Sequence, residues 1–123
     1  MAGHNRLGLW GEQVAREDLL AQGYAIAGEN TKVAGVEIDF IAFKDDRICF
    51  VEVKTRSTDF VDPLEAVDMR KRSRLVKAAD TYMRSMSIPL EPQFDIILVI
   101  GTPETTHTIE HIPDAFLPTI NNR

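Results

Sequence analysis

Asp39 sits inside the apolar stretch Ile38-Asp39-Phe40-Ile41, and Glu52 and Lys54 sit inside Phe50-Val51-Glu52-Val53-Lys54 further along the chain. Carboxylates and an ammonium set two apart in apolar strands can build a hydrolytic metal centre. Carboxylate oxygens are the hard ligands that Mg2+ prefers. An ammonium beside the ion can orient a water or stabilise charge that develops in a transition state. Asp45-Asp46 between the two stretches is a turn signal, and a two-residue turn sets the hairpin register. Phe43 then faces Ile48, Ile41 faces Phe50, Asp39 faces Glu52 and Glu37 faces Lys54, all on one side of the sheet. Directly opposed like charges cost a few tenths to about 1 kcal/mol, and more when partly buried. A divalent cation would remove that cost. The competing reading is a wet polar face with ordinary salt bridges, the usual fate of surface charge. Two opposed carboxylates and a lysine, all inside apolar strands, favour a site.

The elements that must position these groups follow from pattern. The other hairpin face, Ile38, Phe40, Ala42, Cys49, Val51 and Val53, is apolar throughout and reads as a core face. A helix is expected over residues 5–22, capped by Asn5 and stopped by Gly23. Its stripe carries Gly8, Glu12, Ala15 and Leu19, with Glu12 the exception among small and apolar residues. Strands are expected over 24–32, with a turn near Gly28-Glu29-Asn30, and over 36–43 and 47–54. Residues 57–63 read as a loop. A second helix over 69–86, capped by Asp68, presents Leu75, Ala78, Ala79, Tyr82 and Met86, and Pro89 and Pro92 end it. Residues 94–100 read as a strand buried on both faces, 106–112 as a last strand, and 113–123 as a tail laid over the domain. The order is α-β-β-β-α-β plus an edge strand. It describes one α/β domain over 1–123, with a core of about 5–112 and a mixed central sheet flanked by helices.

The chain has 123 residues, 44% of them apolar and 27% charged, which suits one globular domain. No apolar run approaches the roughly 20 residues of a membrane span, so no membrane partner and a cytoplasmic location are expected. Cys49 is the single cysteine, so an intrachain disulfide and a cysteine-built zinc site are excluded. A net charge of -5 argues against a general-purpose basic nucleic-acid binder. The second helix is a local exception. Arg70, Lys71, Arg72, Arg74, Lys77 and Arg84 face only Asp80 among acids there, and with Arg56 they can form a phosphate track. Lys71, in line with the apolar stripe, should point to the end of the sheet that holds Lys54. Cys49 reads as a buried small hydrophobe, Trp10 and Met86 as packing residues, and His107 and His111 as exposed strand residues.

An acid in one strand, Glu-x-Lys in the next and a Glu-bearing helix before them resemble the PD-(D/E)xK nuclease superfamily, and within it the YraN-type family of small endonuclease-like proteins. The matching residues are Gly11, Glu12, Ala15, Leu19 to Gly23, Asn30, Glu37-Ile38-Asp39-Phe40-Ile41 and Phe50-Val51-Glu52-Val53-Lys54-Thr55-Arg56. They continue with Phe60, Pro63, Ala66, Val67, Lys71, Leu75, Ala79, Tyr82 and Phe94-Asp95. The chain departs from the family in having Val36 between Gly35 and its Glu-Ile-Asp, and Val61 after Phe60. Both departures touch loop shape and not the charged groups. The resemblance implies that Asp39, Glu52 and the backbone carbonyl of Val53 hold Mg2+ or Mn2+. It makes Lys54 the catalytic lysine and aims Glu12 at the metal. It implies metal-dependent hydrolysis of DNA phosphodiester bonds, on branched or repair and recombination intermediates. Junction-resolving proteins of this fold are dimers, which brings a homodimer into view, although the residues show no dimer patch. Two alternatives stand: a non-catalytic nucleic-acid-binding module on a nuclease scaffold, and an interaction protein whose acids pair with Lys54 and Lys71.

Overall fold

Asn5 starts the first helix. Its backbone is extended, and its side chain accepts the N–H of Gly8 at 2.7 Å, a donor with no carbonyl one turn back. α1 (Arg6–Ala21) ends where Gly23 takes φ 94, a left-handed value that glycine adopts freely. Tyr24 N–H then reaches back to Leu19 C=O, and Gly23 N–H to Leu20 C=O. That is the Schellman closure. The computed structural model describes residues 5–57 and 69–116. The expected Asp68 cap, most of the 57–63 loop and the end of the tail lie outside the described residues.

β1 (Ala25–Val33), β2 (Val36–Lys44) and β3 (Arg47–Arg56) form an antiparallel meander. The turn expected near Gly28-Glu29-Asn30 is not there. β1 runs through these residues with a register shift between Ile26 and Gly28. The chain reverses at Ala34-Gly35 instead, both with positive φ (51 and 79). Such primed turns match the twist of the strands they join. An alanine in the first position hid the signal. The second hairpin has the expected register around Asp45-Asp46, with Phe43 opposite Ile48 and Ile41 opposite Phe50. The paired ladder stops at Phe40 and Val51, so Asp39 and Glu52 lie just beyond it.

α2 (Met69–Ser85) crosses over to β4 (Glu91–Gly101), which runs parallel to β3 from Arg47–Glu91 to Arg56–Ile100. β5 (His107–Ile112) closes antiparallel on β4. The result is one α/β domain: a five-stranded mixed sheet in the order β1-β2-β3-β4-β5 with two helices. α2 ends on its own Schellman closure, with Ser87 at φ 52 and Ile88 N–H on Met83 C=O at 2.9 Å. Met86 therefore leaves the apolar stripe and is exposed, and Pro92 lies within β4 instead of ending the helix.

Each sheet face has its own core. Ile41, Ile48, Phe50, Phe94 and Ile96 pack with Leu75, Ala78 and Ala79 of α2. Phe40, Ala42, Cys49, Val51, Ile97 and Val99 pack with Ala15 and Leu19 of α1. Ile38 departs from strict alternation. It belongs with Ile41 and the α2 core, not with Phe40. The break falls at Asp39, where pairing to β3 has ended and the ladder no longer enforces the pleat. The start of the tail lies on the domain as expected, with Ala115 N–H on Phe94 C=O at 2.7 Å and the rings of Phe116 and Phe94 stacked at 5.2 Å.

Candidate functional site

Gly11 is the point at which α1 meets β3. A Cβ there would lie 1.9 Å from Thr55 Oγ1, so only glycine permits the approach. At 100° per residue, its neighbours project to opposite flanks of the helix. Glu12 reaches toward β1, where Asn30 Nδ2 donates to its Oε1 at 3.4 Å. Trp10 reaches toward β5, and its ring meets His107 at 5.2 Å.

On the Glu12 side a cleft of about 460 Å³ opens at the end of the sheet. Glu12, Asp39, Glu52, Val53, Lys54, Arg56, Lys71 and Arg74 all line it. The structure thus brings together the acids and the lysine expected from the sequence, with three of the basic residues around them. Asp39 Oδ2 accepts the N–H of Val53 at 2.8 Å, taking a strand donor just past the end of the ladder. Burial pushes the Asp39 carboxyl up from 3.8 to about 8. The charge of Glu52, and more weakly that of Glu12, adds to the rise, while the Val53 N–H and Lys71 oppose it. Glu52 is 6% exposed, and the Lys71 ammonium pairs with its Oε2. Its Oε1 is buried without a hydrogen-bond partner among the described residues. Lys54 is lowered from the usual lysine value, first by burial and then by the like charges of Lys71 and Arg56, with Glu52 and Asp39 opposing.

Among the described residues no three His, Cys, Asp or Glu side chains form a ready-made metal cluster. The donor set at the cleft is leaner: Asp39, Glu52 and the Val53 backbone. That set fits Mg2+ or Mn2+, since Mg2+ keeps several waters and takes one or two carboxylates. The unpartnered Glu52 Oε1 and the suppressed ionisation of Asp39 are both defects that a dication would relieve.

The remaining basic residues divide. Arg70, Arg74 and Lys77 share one stripe of α2 by their spacing, and all are exposed. Arg72 turns elsewhere, with its guanidinium over the Phe116 ring at 5.4 Å.

A second polar centre was not expected from the sequence. Asp95, 1% exposed in the middle of β4, accepts Gln93 Nε2 at 2.9 Å and the Asp114 N–H at 3.1 Å. Its Oδ2 lies 2.8 Å from His111 Nε2. His111, expected to be exposed, has a side chain only 10% exposed. An edge strand still buries one face, and His111 lies on it, paired in register with Ile97. Tyr24 and Cys49 border this centre. Burial, then the charge of Asp95, raises the Tyr24 hydroxyl above its usual range and pushes the Cys49 thiol up to about 12, which leaves the thiol unreactive. The lone acid of Phe94-Asp95-Ile96-Ile97 was the signal in the sequence.

The fold and cleft define a small α/β domain with an acidic centre at one end of its sheet, ringed by cations. Residues 11–99 match the model of the uncharacterised protein family UPF0102, and the chain belongs to that family. It is 45% identical over 119 residues to a UPF0102 protein of Bacteroides thetaiotaomicron, covering 96% of this chain and 98% of that one. A UPF0102 protein of Parabacteroides distasonis is 45% identical over 117 residues, covering 94% and 96%. One from Caldanaerobacter subterraneus subsp. tengcongensis is 43% identical over 114 residues, covering 89% and 93%.

Proposed function

We propose that this chain is a metal-dependent phosphodiesterase acting on DNA, a YraN-type member of the PD-(D/E)xK nuclease superfamily, with branched or repair and recombination intermediates as its substrates. One observation carries the reading: Glu12, Asp39, Glu52 and Lys54 meet in a single cleft, and Glu52 Oε1 is buried there with no partner among the described residues. Asp39, Glu52 and the Val53 carbonyl would hold Mg2+ or Mn2+. The ion supplies polarisation of the phosphate and a lowered pKa for an attacking water.

The chain's own groups do the rest. Asp39 gives up its proton as the site loads. Lys54, with its lowered pKa, orients the water or stabilises the added charge of the transition state. Glu12, held by Asn30, fixes a water one layer further out. Arg56, Lys71 and Arg74 contact flanking phosphates at the cleft, and Arg70 and Lys77 extend that track along α2.

The Lys71–Glu52 ion pair favours a second reading, a non-catalytic nucleic-acid-binding module, because it already supplies Glu52 with a cation. Calorimetry with Mn2+ separates the two. The enzyme reading requires binding that Asp39→Ala abolishes, and cleavage of at least one of duplex, single-stranded, flap or four-way DNA with Mg2+ or Mn2+. Absence of Mn2+ binding together with intact DNA binding would install the module reading instead.

A further inference from the structure

A second depression, of about 360 Å³, lies on the Trp10 side of α1, lined by Ser57, Ile100, Gly101, His107 and the threonines Thr105, Thr106 and Thr108. It neighbours the cleft, because Arg56, which lines the cleft, is the strand partner of Ile100, which lines the depression. Arg56 pairs in register with Ile100 and Gly101 with His107, so the two concavities occupy one rim at the carboxyl ends of the parallel strands β3 and β4. Open α/β sheets bind ligands outside such ends. None of the residues lining the depression is acidic among those described, and most carry hydroxyls. Trp10 meets His107 edge-on, with ring planes at 89°. One side of Trp10 packs on the α1 core, while His107 is exposed.

Aromatic rings beside a groove that tracks phosphates are how proteins hold single-stranded nucleic acid, because every base offers a π-face. A base inside a continuous duplex has both faces covered by its neighbours and cannot stack on a side chain unless it is unstacked first. Resting on the DNA-cleavage reading above, we propose that exposed His107, backed edge-on by Trp10, is a base-stacking platform, so that the substrate carries an unpaired nucleotide next to the phosphate held in the cleft. Branches, flaps and single-stranded ends meet that demand, and uninterrupted duplex does not. Hydroxyls of the depression hold the sugar and phosphate of the seated nucleotide.

Trp10 is the only tryptophan in the chain, so its fluorescence reports on the subsite directly. The protein would be titrated in EDTA with an oligothymidylate of about ten nucleotides, within the usual site sizes for such proteins. Closed circular duplex, which has no ends, serves as the comparison, and the anisotropy of a labelled oligothymidylate gives affinity independently. The expected result is saturable quenching by oligothymidylate and little by the circle. His107→Ala should weaken oligothymidylate binding at least fivefold, and His107→Phe should restore it. Equal quenching by both ligands, or a silent His107→Ala, overturns the subsite. If oligothymidylate binds in a manner that needs Arg74 while Trp10 emission stays unchanged, the subsite fails and the DNA reading stands. If neither nucleic acid binds, both fall.

Discussion

Asp39 Oδ2 accepts the backbone N–H of Val53 at 2.8 Å, just past Phe40 and Val51, the last paired residues of the β2–β3 ladder. The end of the ladder thus leaves a strand donor that anchors a carboxylate. Asp39 and Glu52, which the hairpin register sets opposite each other, both line the cleft. The anchored acid is partly buried, and its ionisation is opposed by its surroundings.

Asp39 should make the metal-free protein less stable as pH rises. Below 3.8 the group is protonated in both the folded and the unfolded chain. Between 3.8 and about 8 the unfolded chain ionises first, so the native advantage shrinks, and it levels off above about 8. Asp39→Asn should flatten that slope and leave the metal-free protein as stable as wild type, or more so, at pH 7. Urea unfolding of both proteins in EDTA across this range reads the difference. A clear loss of stability in the variant at pH 7 would mean that Asp39 is held ionised by a neighbouring cation such as Lys71.

Metal binding should release a proton. With Asp39 held near 8, most of it is protonated at pH 7 and must ionise to become a ligand. Mn2+ calorimetry at pH 7 in buffers of different ionisation enthalpy should show close to one proton released per ion. Affinity should rise with pH and level off above about 8.

Lys54 and the basic stripe should separate chemistry from binding. Lys54→Ala should lower cleavage by about 10²–10⁴-fold with little change in affinity. Arg74→Ala and Lys77→Ala should weaken DNA binding on all sequences. Every phosphate left without its cation should reduce the log–log salt slope by about 0.9 on duplex DNA. Affinity at several salt concentrations and cleavage at saturating protein test both. Loss of binding in Lys54→Ala, with Arg74 and Lys77 silent, would reverse the assignment. Arg72 is a poor probe of the track, because its guanidinium packs over Phe116.

Gly11→Ala should destabilise the fold by about 1–3 kcal/mol, since its Cβ would collide with Thr55. Thr55→Ala should recover part of that loss in the double variant, and the coupling measured by chemical denaturation reports how closely the two residues pack. No recovery would mean that α1 and β3 do not meet at these residues.

Asp95→Ala should cost about 1–3 kcal/mol by leaving His111, Gln93 and the Asp114 N–H without their acceptor. Asp95 does not line the cleft, so Mn2+ affinity should be unchanged. A change in affinity would tie the two centres together.

What the residues determine by themselves is what depends on neighbours a few positions away. The Asn5 cap, the Gly23 stop, the Asp45-Asp46 turn and the register it sets were all legible, because a cap needs one side chain and a turn needs one pair of dihedrals. The same register directs Asp39 toward Glu52 without help from tertiary packing. Other features are set by segments distant in the chain. The reversal at Ala34-Gly35 and the β1 register shift show only when β1 is laid against β2. Ile38 changes core where the β2–β3 ladder stops. His111 is buried because Asp95, sixteen positions away, accepts it. The rise of Asp39 to about 8 needs the burial and the Glu52 and Glu12 charges that folding brings to it, and the capture of Glu52 needs Lys71 of α2. Periodicity sets which way a side chain points along its own element, but burial and ionisation depend on what packs over it, and only the folded chain supplies that.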